Sequence, residues 1–440
     1  MDILIKIAQL FLCFTILVGI HELGHFLMAR AFKIRVEKFY IFFDPWFSLF
    51  KFKRGDTEYG LGWLPLGGYV KIAGMIDESM DKEQMKQPVK PDEFRAKPAW
   101  QRLLVMVAGV MMNVLLAIVI YCAVCYTWGD SYFSNQDAKW GYNFNPTAHE
   151  MGFRDGDRFV SIDGEEIDNV MRVQNDLLIT DGGRRVVVER GGEPVTLDIP
   201  FESLLRMRQE KAYEDLFTLR LPFIVDSVSY TSAVEAGLQS GDEVVAIDDL
   251  RDADYPRYRD YLQKHKNDKV LLTVRRDGAL IDSLALPVDA EGRIGVTVTN
   301  PYSLRTQYYT FWESIPAGIH KAGKTISSYW DQLKLIVQPK TKMYEELGGF
   351  VAIGSIFPGS WDWHDFGLKT AFLSIILAVM NLLPIPGLDG GHALFTLWEI
   401  ITRRKPSEKF LEVAQYVGLM IILALLVYAN GNDIYRFFIK

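Results

Sequence analysis

The sequence predicts a polytopic α-helical membrane protein with four transmembrane helices and two small α+β domains inserted between the second and third. Three observations carry this reading: four long apolar runs, a strand-like hairpin pattern between the first two, and an internal repeat in the middle of the chain. A helix that crosses a bilayer needs about 20 mainly apolar residues. Ile3 to Ile20 is such a run and continues through His21–Ala31. Leu103 to Tyr126 is the second, flanked by Trp100 and Trp128 at interface depth. Phe366 to Leu383, interrupted only by Lys369 and Asn381, is the third, and Phe410 to Tyr428 is the fourth. A signal peptide is the alternative for the first run. That run has only Lys6 as a basic start and no small-x-small cleavage site before His21, which favours a retained helix.

The bulk properties agree. A chain of 440 residues is too long for one ordinary core. Its hydrophobic content of 49% averages apolar ends with a soluble-looking middle. The net charge of -7 offers no basic face, so a nucleic-acid binder is not expected. Cys13, Cys122 and Cys125 all lie in apolar runs. They read as small buried residues, and the Cys122-x-x-Cys125 spacing does not imply a redox pair or a disulfide framework.

Lys and Arg near the ends of the spans set their orientation. Arg30, Lys33, Arg35 and Lys38 follow the first span, and Arg95, Lys97 and Arg102 precede or open the second. Arg403, Arg404, Lys405 and Lys409 lie between the third and fourth, whereas no Lys or Arg follows Trp128 until Lys139. Residues 32–99 and the 401–409 loop are therefore expected on the cytoplasmic side. The long 129–365 segment and both termini are expected opposite.

The repeat is explicit. Ala148-x-x-x-Gly152-Phe153-x-x-Gly156-Asp157-Arg158-Phe159-Val160-x-Ile162-Asp163 returns as Ala233-x-x-x-Gly237-Leu238-x-x-Gly241-Asp242-Glu243-Val244-Val245-x-Ile247-Asp248. Each copy reads as a helical turn, a Gly-Asp turn and a strand. Arg185–Glu189 and Val195–Ile199 add strands to the first copy, Val270–Arg275 and Leu284–Val288 to the second. The pattern resembles the circularly permuted PDZ domains of bacterial proteases. That resemblance implies binding of peptide ligands by strand addition. The first copy keeps Asn145-Pro146 before its turn. The second has Tyr230-Thr231-Ser232, without the proline.

The chemistry sits in the first span. His21-Glu22-Leu23-Gly24-His25 matches His-Glu-x-x-His. Residues i and i+4 of a helix share a face, so two imidazoles can bind one Zn²⁺. Glu22 lies beside them, suited to take a proton from an activated water. Three ionisable groups on one turn in an apolar helix are costly and need a partner such as a metal. A third ligand is expected in Asn381-Leu-Leu-Pro384-Ile-Pro386-Gly387-Leu388-Asp389-Gly390-Gly391-His392, where prolines and glycines break the end of the third span. Irregular backbone at membrane depth is tolerated where it lines protein or a water cavity. Asp389 offers a carboxylate oxygen, and His392 is a rival ligand. Asn381 reads equally as a helix-packing hydrogen bonder or as a holder of substrate backbone.

The pairing of His-Glu-x-x-His in the first span with Asn-x-x-Pro-x-Pro-x-Leu-Asp-Gly in a late span resembles the signature of the site-2 protease family. Tandem PDZ-like domains between the second and third spans resemble its RseP-type bacterial branch. Leu64-Pro65-Leu66-Gly67-Gly68-Tyr69-Val70-Lys71 is similar to the family's Gly-Tyr-Val-Lys strand. Phe47–Lys53, a turn at Arg54-Gly55-Asp56, and Thr57–Trp63 resemble its membrane re-entrant β-hairpin. Ala108-Gly109-Val110-x-x-Asn113 looks like its Ala-Gly-Pro-x-x-Asn, and Leu347-Gly348-Gly349-Phe350-Val351-x-Ile353 like its Gly-Pro-Ile-Gly-Ile region, each without the proline.

The resemblance implies that His21, His25 and Asp389 bind zinc and that Glu22 is general base, then acid. It also implies that Asn381 and the strand through Gly68, Tyr69, Val70 and Lys71 hold the substrate. The substrates would be single-span membrane proteins, of the anti-sigma-factor or signal-peptide kind, cut in the bacterial inner membrane during regulated intramembrane proteolysis. The expected organisation is a membrane part at 1–128, PDZ domains at 129–205 and 206–300, an amphipathic linker at 301–365, and a second membrane part at 366–440. Tyr308–Val337 is expected along the outer membrane surface, or else as an ordinary packing helix of the soluble part. Two other functions compete with this one. A scaffold with structural zinc would close its site with four protein ligands. A transporter would want polar residues in several spans, and the second and fourth offer almost none.

Overall fold

The computed structural model describes residues 2–64, 67–75, 88–252 and 254–436, so Pro65 and Leu66 lie outside the described residues. The chain forms two compact units, Met1–Asp130 with Tyr308–Lys440, and Ser131–Gln307.

In the first unit, four helices among the described residues are long and apolar enough to cross a membrane: Asp2–Ala31, Ala99–Trp128, Trp363–Leu382 and Lys409–Ile434. They coincide with the four apolar runs. Asp2 in the first turn and Arg30 in the last suit the dipole of the first span. The second ends on Gly129 (φ 76°), whose N–H bonds the Cys125 carbonyl. The Ser407 hydroxyl caps the fourth by accepting from the Phe410 N–H. The third span stops at Leu382. After a broken stretch with Gly387 at φ 99°, a further helix runs Asp389–Thr402. Gly418 of the fourth span lets this stretch close on it, because a Cβ there would overlap the Pro386 carbonyl oxygen.

Between the first two spans lies a four-stranded sheet. Its strands are β1 (Val36–Ile41), β2 (Phe43–Arg54), β3 (Thr57–Leu64) and β4 (Tyr69–Ile72), in the order β2-β3-β1-β4. β2 and β3 form the expected hairpin, turning at Gly55 (φ 62°). β3 runs parallel to β1, and β4 antiparallel to it. Among the described residues β4 is therefore an edge strand, with β1 on one side only. The hairpin carries its apolar residues outward: Trp46 is 90% exposed, and Phe47, Leu49, Phe50 and Phe52 are exposed too. A free-standing aromatic ribbon of this kind is unfavourable in water and comfortable in a bilayer interface.

Phe311–Val337 is one helix, opened by a capping box between Thr310 and Glu313. Its small residues pack on the spans. A Cβ on Gly318 would meet the Cys122 sulfur at 2.5 Å, and Thr325 Oγ1 lies 3.3 Å from the Tyr121 hydroxyl. Ala322, Ile326, Tyr329 and Leu333 join Ala117, Tyr121, Ala371 and Ile375 in one apolar cluster. These contacts seat it along the second and third spans, an arrangement neither sequence reading specified.

The second unit holds two modules, each with its own core. Phe144, Phe153, Phe159, Val186, Val188, Leu204 and Leu216 belong to the first core. Phe223, Leu238, Val244, Tyr258, Val270, Leu272 and Leu286 belong to the second. The repeat is the same physical device twice. Asp157 is buried, accepts two 2.7 Å bonds from Arg190 and takes the Arg154 N–H, while Asp242 does the same with Arg276 at 2.6 Å and with the Gln239 N–H. The glycines Gly152, Gly156, Gly237 and Gly241 all take positive φ, which the tight turns around these carboxylates require. Truncating Asp157 to Ala leaves a buried donor and a charge unpaired, a cost on the order of 2 kcal/mol. Hydrogen exchange on the full chain should then speed up in the strands Arg184–Arg190 and Glu193–Ile199 and stay unchanged in the second module.

Candidate metal centre

The first span presents His21 and His25 to one face, their rings edge-to-face with centroids 4.8 Å apart. Both are buried where the first span crosses the second. Gly24 makes that crossing close, since a Cβ there would sit 2.5 Å from the Ala108 carbonyl oxygen. The two Nε2 atoms lie 3.2 Å apart. Asp389, the first residue of its helix, brings Oδ2 to 3.1 Å from each of them. The helix break before Asp389 is what allows this approach. Gly390 and Gly391 press on the carbonyls of Leu382, Leu383 and Ile385, where any side chain would collide.

Two imidazole nitrogens and a carboxylate oxygen are an accepted donor set for zinc. An ion about 2.0–2.1 Å from each, at tetrahedral angles, would hold its donors about 3.3–3.4 Å apart. The observed triangle of 3.1–3.2 Å fits that ion. Among the described residues, these three are the group of His, Cys, Asp and Glu that converges in this way. His392 is not in it. That ring lies on the same helix, beside a cavity lined by Arg102, Thr396 and Glu399.

The other expected site residues gather around the triangle. Glu22 is half-buried beside the two histidines, and its carboxylate lies close to the Val70 backbone. Gly68 sits between Glu22 and the sheet: a Cβ there would come 2.7 Å from the Tyr40 carbonyl oxygen and 3.4 Å from Glu22 Cγ. The Tyr69 hydroxyl donates to Asp44 at 2.9 Å, and its ring stacks between Tyr40 and Phe43. Lys71 pairs with Glu37 at 3.5 Å. Asn381 places its amide nitrogen 3.4 Å from His21 Nε2, at the rim of the metal triangle.

Sequence reasoning gave no role in the site to three contributions of the second span. The Val105 carbonyl oxygen lies 2.8 Å from His25 Nδ1. Asn113 contacts His21 Nδ1 at 3.2 Å. Gly109 lies between them, where a Cβ would strike His25 Nε2 and come 2.7 Å from His21 Cε1. A backbone carbonyl leaves no sequence signal. Gly109 and Asn113 did leave one, a glycine and a polar amide spaced by four in an apolar helix.

The sequence profile of peptidase family M50 matches residues 9–425. A Clostridium perfringens protein named as a zinc metalloprotease is 29% identical over 428 residues, covering 96% of each chain. One from Vibrio cholerae with the same description is 29% identical over 465 residues and 99% of each chain. A Haemophilus influenzae protein named regulator of sigma E protease is 27% identical over 463 residues, covering 99% of this chain and 100% of its own.

Proposed function

The chain belongs to peptidase family M50, the site-2 proteases, and from that premise we propose that it cuts the transmembrane segments of single-span membrane proteins. It is an intramembrane zinc metalloprotease. The observation that carries the proposal is the meeting of three things at one point: the donors of His21, His25 and Asp389, the Glu22 carboxylate, and the open edge of β4.

His21 and His25 would hold zinc through Nε2 and Asp389 through Oδ2. When bound, zinc supplies Lewis-acid polarisation of the scissile carbonyl and acidifies a water. Glu22 takes the proton of the attacking water on its carboxylate and hands it to the departing amine nitrogen. A peptide bond in a membrane helix is already hydrogen-bonded, so the substrate must unwind before attack. β4 meets that need. Main-chain groups released by unwinding pair with its free edge, and Val70 sets the added strand beside Glu22. Asn381 donates its amide to the substrate main chain next to the reacting carbonyl. A structural zinc site would be closed by a fourth protein ligand. Here the neighbour is a carboxylate placed as a base, which favours the catalytic reading over the scaffold.

The Lys and Arg distribution supports a bacterial inner-membrane protein whose residues 131–307 are extracytoplasmic. Its two modules act as PDZ domains that take peptide ligands by strand addition. The substrates are of the anti-sigma-factor or signal-peptide class, the former in keeping with the Haemophilus relative's name, regulator of sigma E protease. The inserted unit excludes substrates with bulky ectodomains until another protease has trimmed them. Deleting residues 140–290, in a protein that still cuts trimmed substrates, should release cleavage of untrimmed ones; unchanged selectivity would sink the filter.

Reconstitution tests the activity itself. The purified full chain with a single-span substrate in detergent should give a cut within the membrane segment. A zinc chelator should stop it, and added zinc should restore it. Cleavage that persists after zinc is stripped contradicts the proposal.

A further inference from the structure

The second span acts as a template for both histidines, and its two contacts are not equivalent. His25 meets the Val105 carbonyl, a group that can only accept. Its Nδ1 must therefore carry the proton, which leaves Nε2 with a lone pair facing the metal triangle. His21 also turns Nε2 to that triangle, so its Nδ1 must donate as well. Its partner is the Asn113 carboxamide, whose nitrogen lies 3.2 Å from Nδ1. Two donors cannot bond each other. Asn113 is fully buried, and its Oδ1 is buried with no hydrogen-bond partner among the described residues. The oxygen and nitrogen of a carboxamide exchange places by a half-turn with no change of shape, and the hydrogen-bond network decides between them. The exchange leaves one orphan in either orientation, so the contact with His21 decides.

We infer that Asn113 is a positioning residue that fixes His21 in its metal-binding tautomer, with the amide oxygen turned to Nδ1 as the acceptor. The backbone holds it there: the Ser374 hydroxyl of the third span donates 2.8 Å to the Asn113 carbonyl. Three spans thereby fix one imidazole. Among the described residues the hydrogen-bonding contact of the Asn113 side chain is with His21 Nδ1, on the ring side away from the triangle, so it acts through His21. Outer partners of this kind set ring orientation and ligand basicity, and their loss typically costs about 10- to 100-fold in metal affinity.

This inference rests on the ligand role proposed for His21, and its test separates the two. The full-length protein is purified in detergent, loaded with zinc and titrated with the chromogenic chelator 4-(2-pyridylazo)resorcinol, while circular dichroism reports the folded fraction. Asn113→Leu keeps the shape and removes the acceptor. Asn113→Ser shortens it out of reach, and Asn113→Asp keeps an acceptor in place. Leu and Ser should release zinc about 10- to 100-fold more readily than wild type, and Asp should hold it as wild type does. If Asn113→Leu does not fold, the Ser and Asp variants decide alone. Wild-type retention in a folded Ser or Leu variant, or an Asp variant as leaky as Ser, overturns the inference. A wild-type chain that binds no zinc overturns the ligand assignment itself.

Discussion

Glu22→Gln should abolish proteolysis and leave zinc in place. The Glu22 carboxylate is half-buried, close to the Val70 backbone and set beside the metal triangle without belonging to it. The amide that replaces it has nearly the same shape and can still meet the sheet. It cannot accept a proton from water or return one to the amine. General acid–base groups contribute about 10²- to 10⁴-fold to rate. Glu22 serves both halves of the reaction, so kcat should fall by at least about 10³-fold, with substrate binding nearly unchanged. Elemental analysis should still find zinc in the variant. A variant that cuts at a tenth of the wild-type rate would remove Glu22 from the mechanism. A variant that loses zinc would recast it as a ligand.

Gly109→Ala should empty the metal site with little change in the fold. Alanine is favoured over glycine in a helix by about 1 kcal/mol, so the second span itself gains. The added methyl strikes His25 Nε2 and crowds the His21 ring. His25 cannot back away, because its other nitrogen is held 2.8 Å from the Val105 carbonyl. Donors 3.1–3.2 Å apart cannot separate and still share one ion. Zinc retention should drop by more than about 10-fold while helical content stays at wild-type level. Gly323, which has open space around its Cα, is the matching control: Gly323→Ala should change neither. Equal zinc retention in the two variants would show that the second span does not shape the site.

Much of this was legible in the sequence, for identifiable reasons. The four spans follow from hydropathy alone, since a bilayer imposes one length and one secondary structure. The hairpin follows from its turn residues, and His21, Glu22 and His25 from helical spacing. Asp389 stood out because a broken apolar run has few explanations besides a site. What could not be read is contact between distant segments. The edge position of β4 depends on β3 pairing parallel to β1, which no local pattern announces. The seat of Phe311–Val337 on two spans depends on small residues matching a surface elsewhere in the chain. Asn113 was visible as a polar residue in a span, yet only its 3.2 Å contact gives it a role.

The central claim is that one zinc joins His21, His25 and Asp389 inside the membrane part. Crystals of the zinc-loaded full chain, measured on both sides of the zinc absorption edge, locate the metal without assumption. The account predicts a single anomalous peak bonded to His21 Nε2, His25 Nε2 and an Asp389 carboxylate oxygen, with Glu22 near but unbonded. A peak bonded to His392, a fourth protein ligand closing the site, or no peak at the triangle would contradict it.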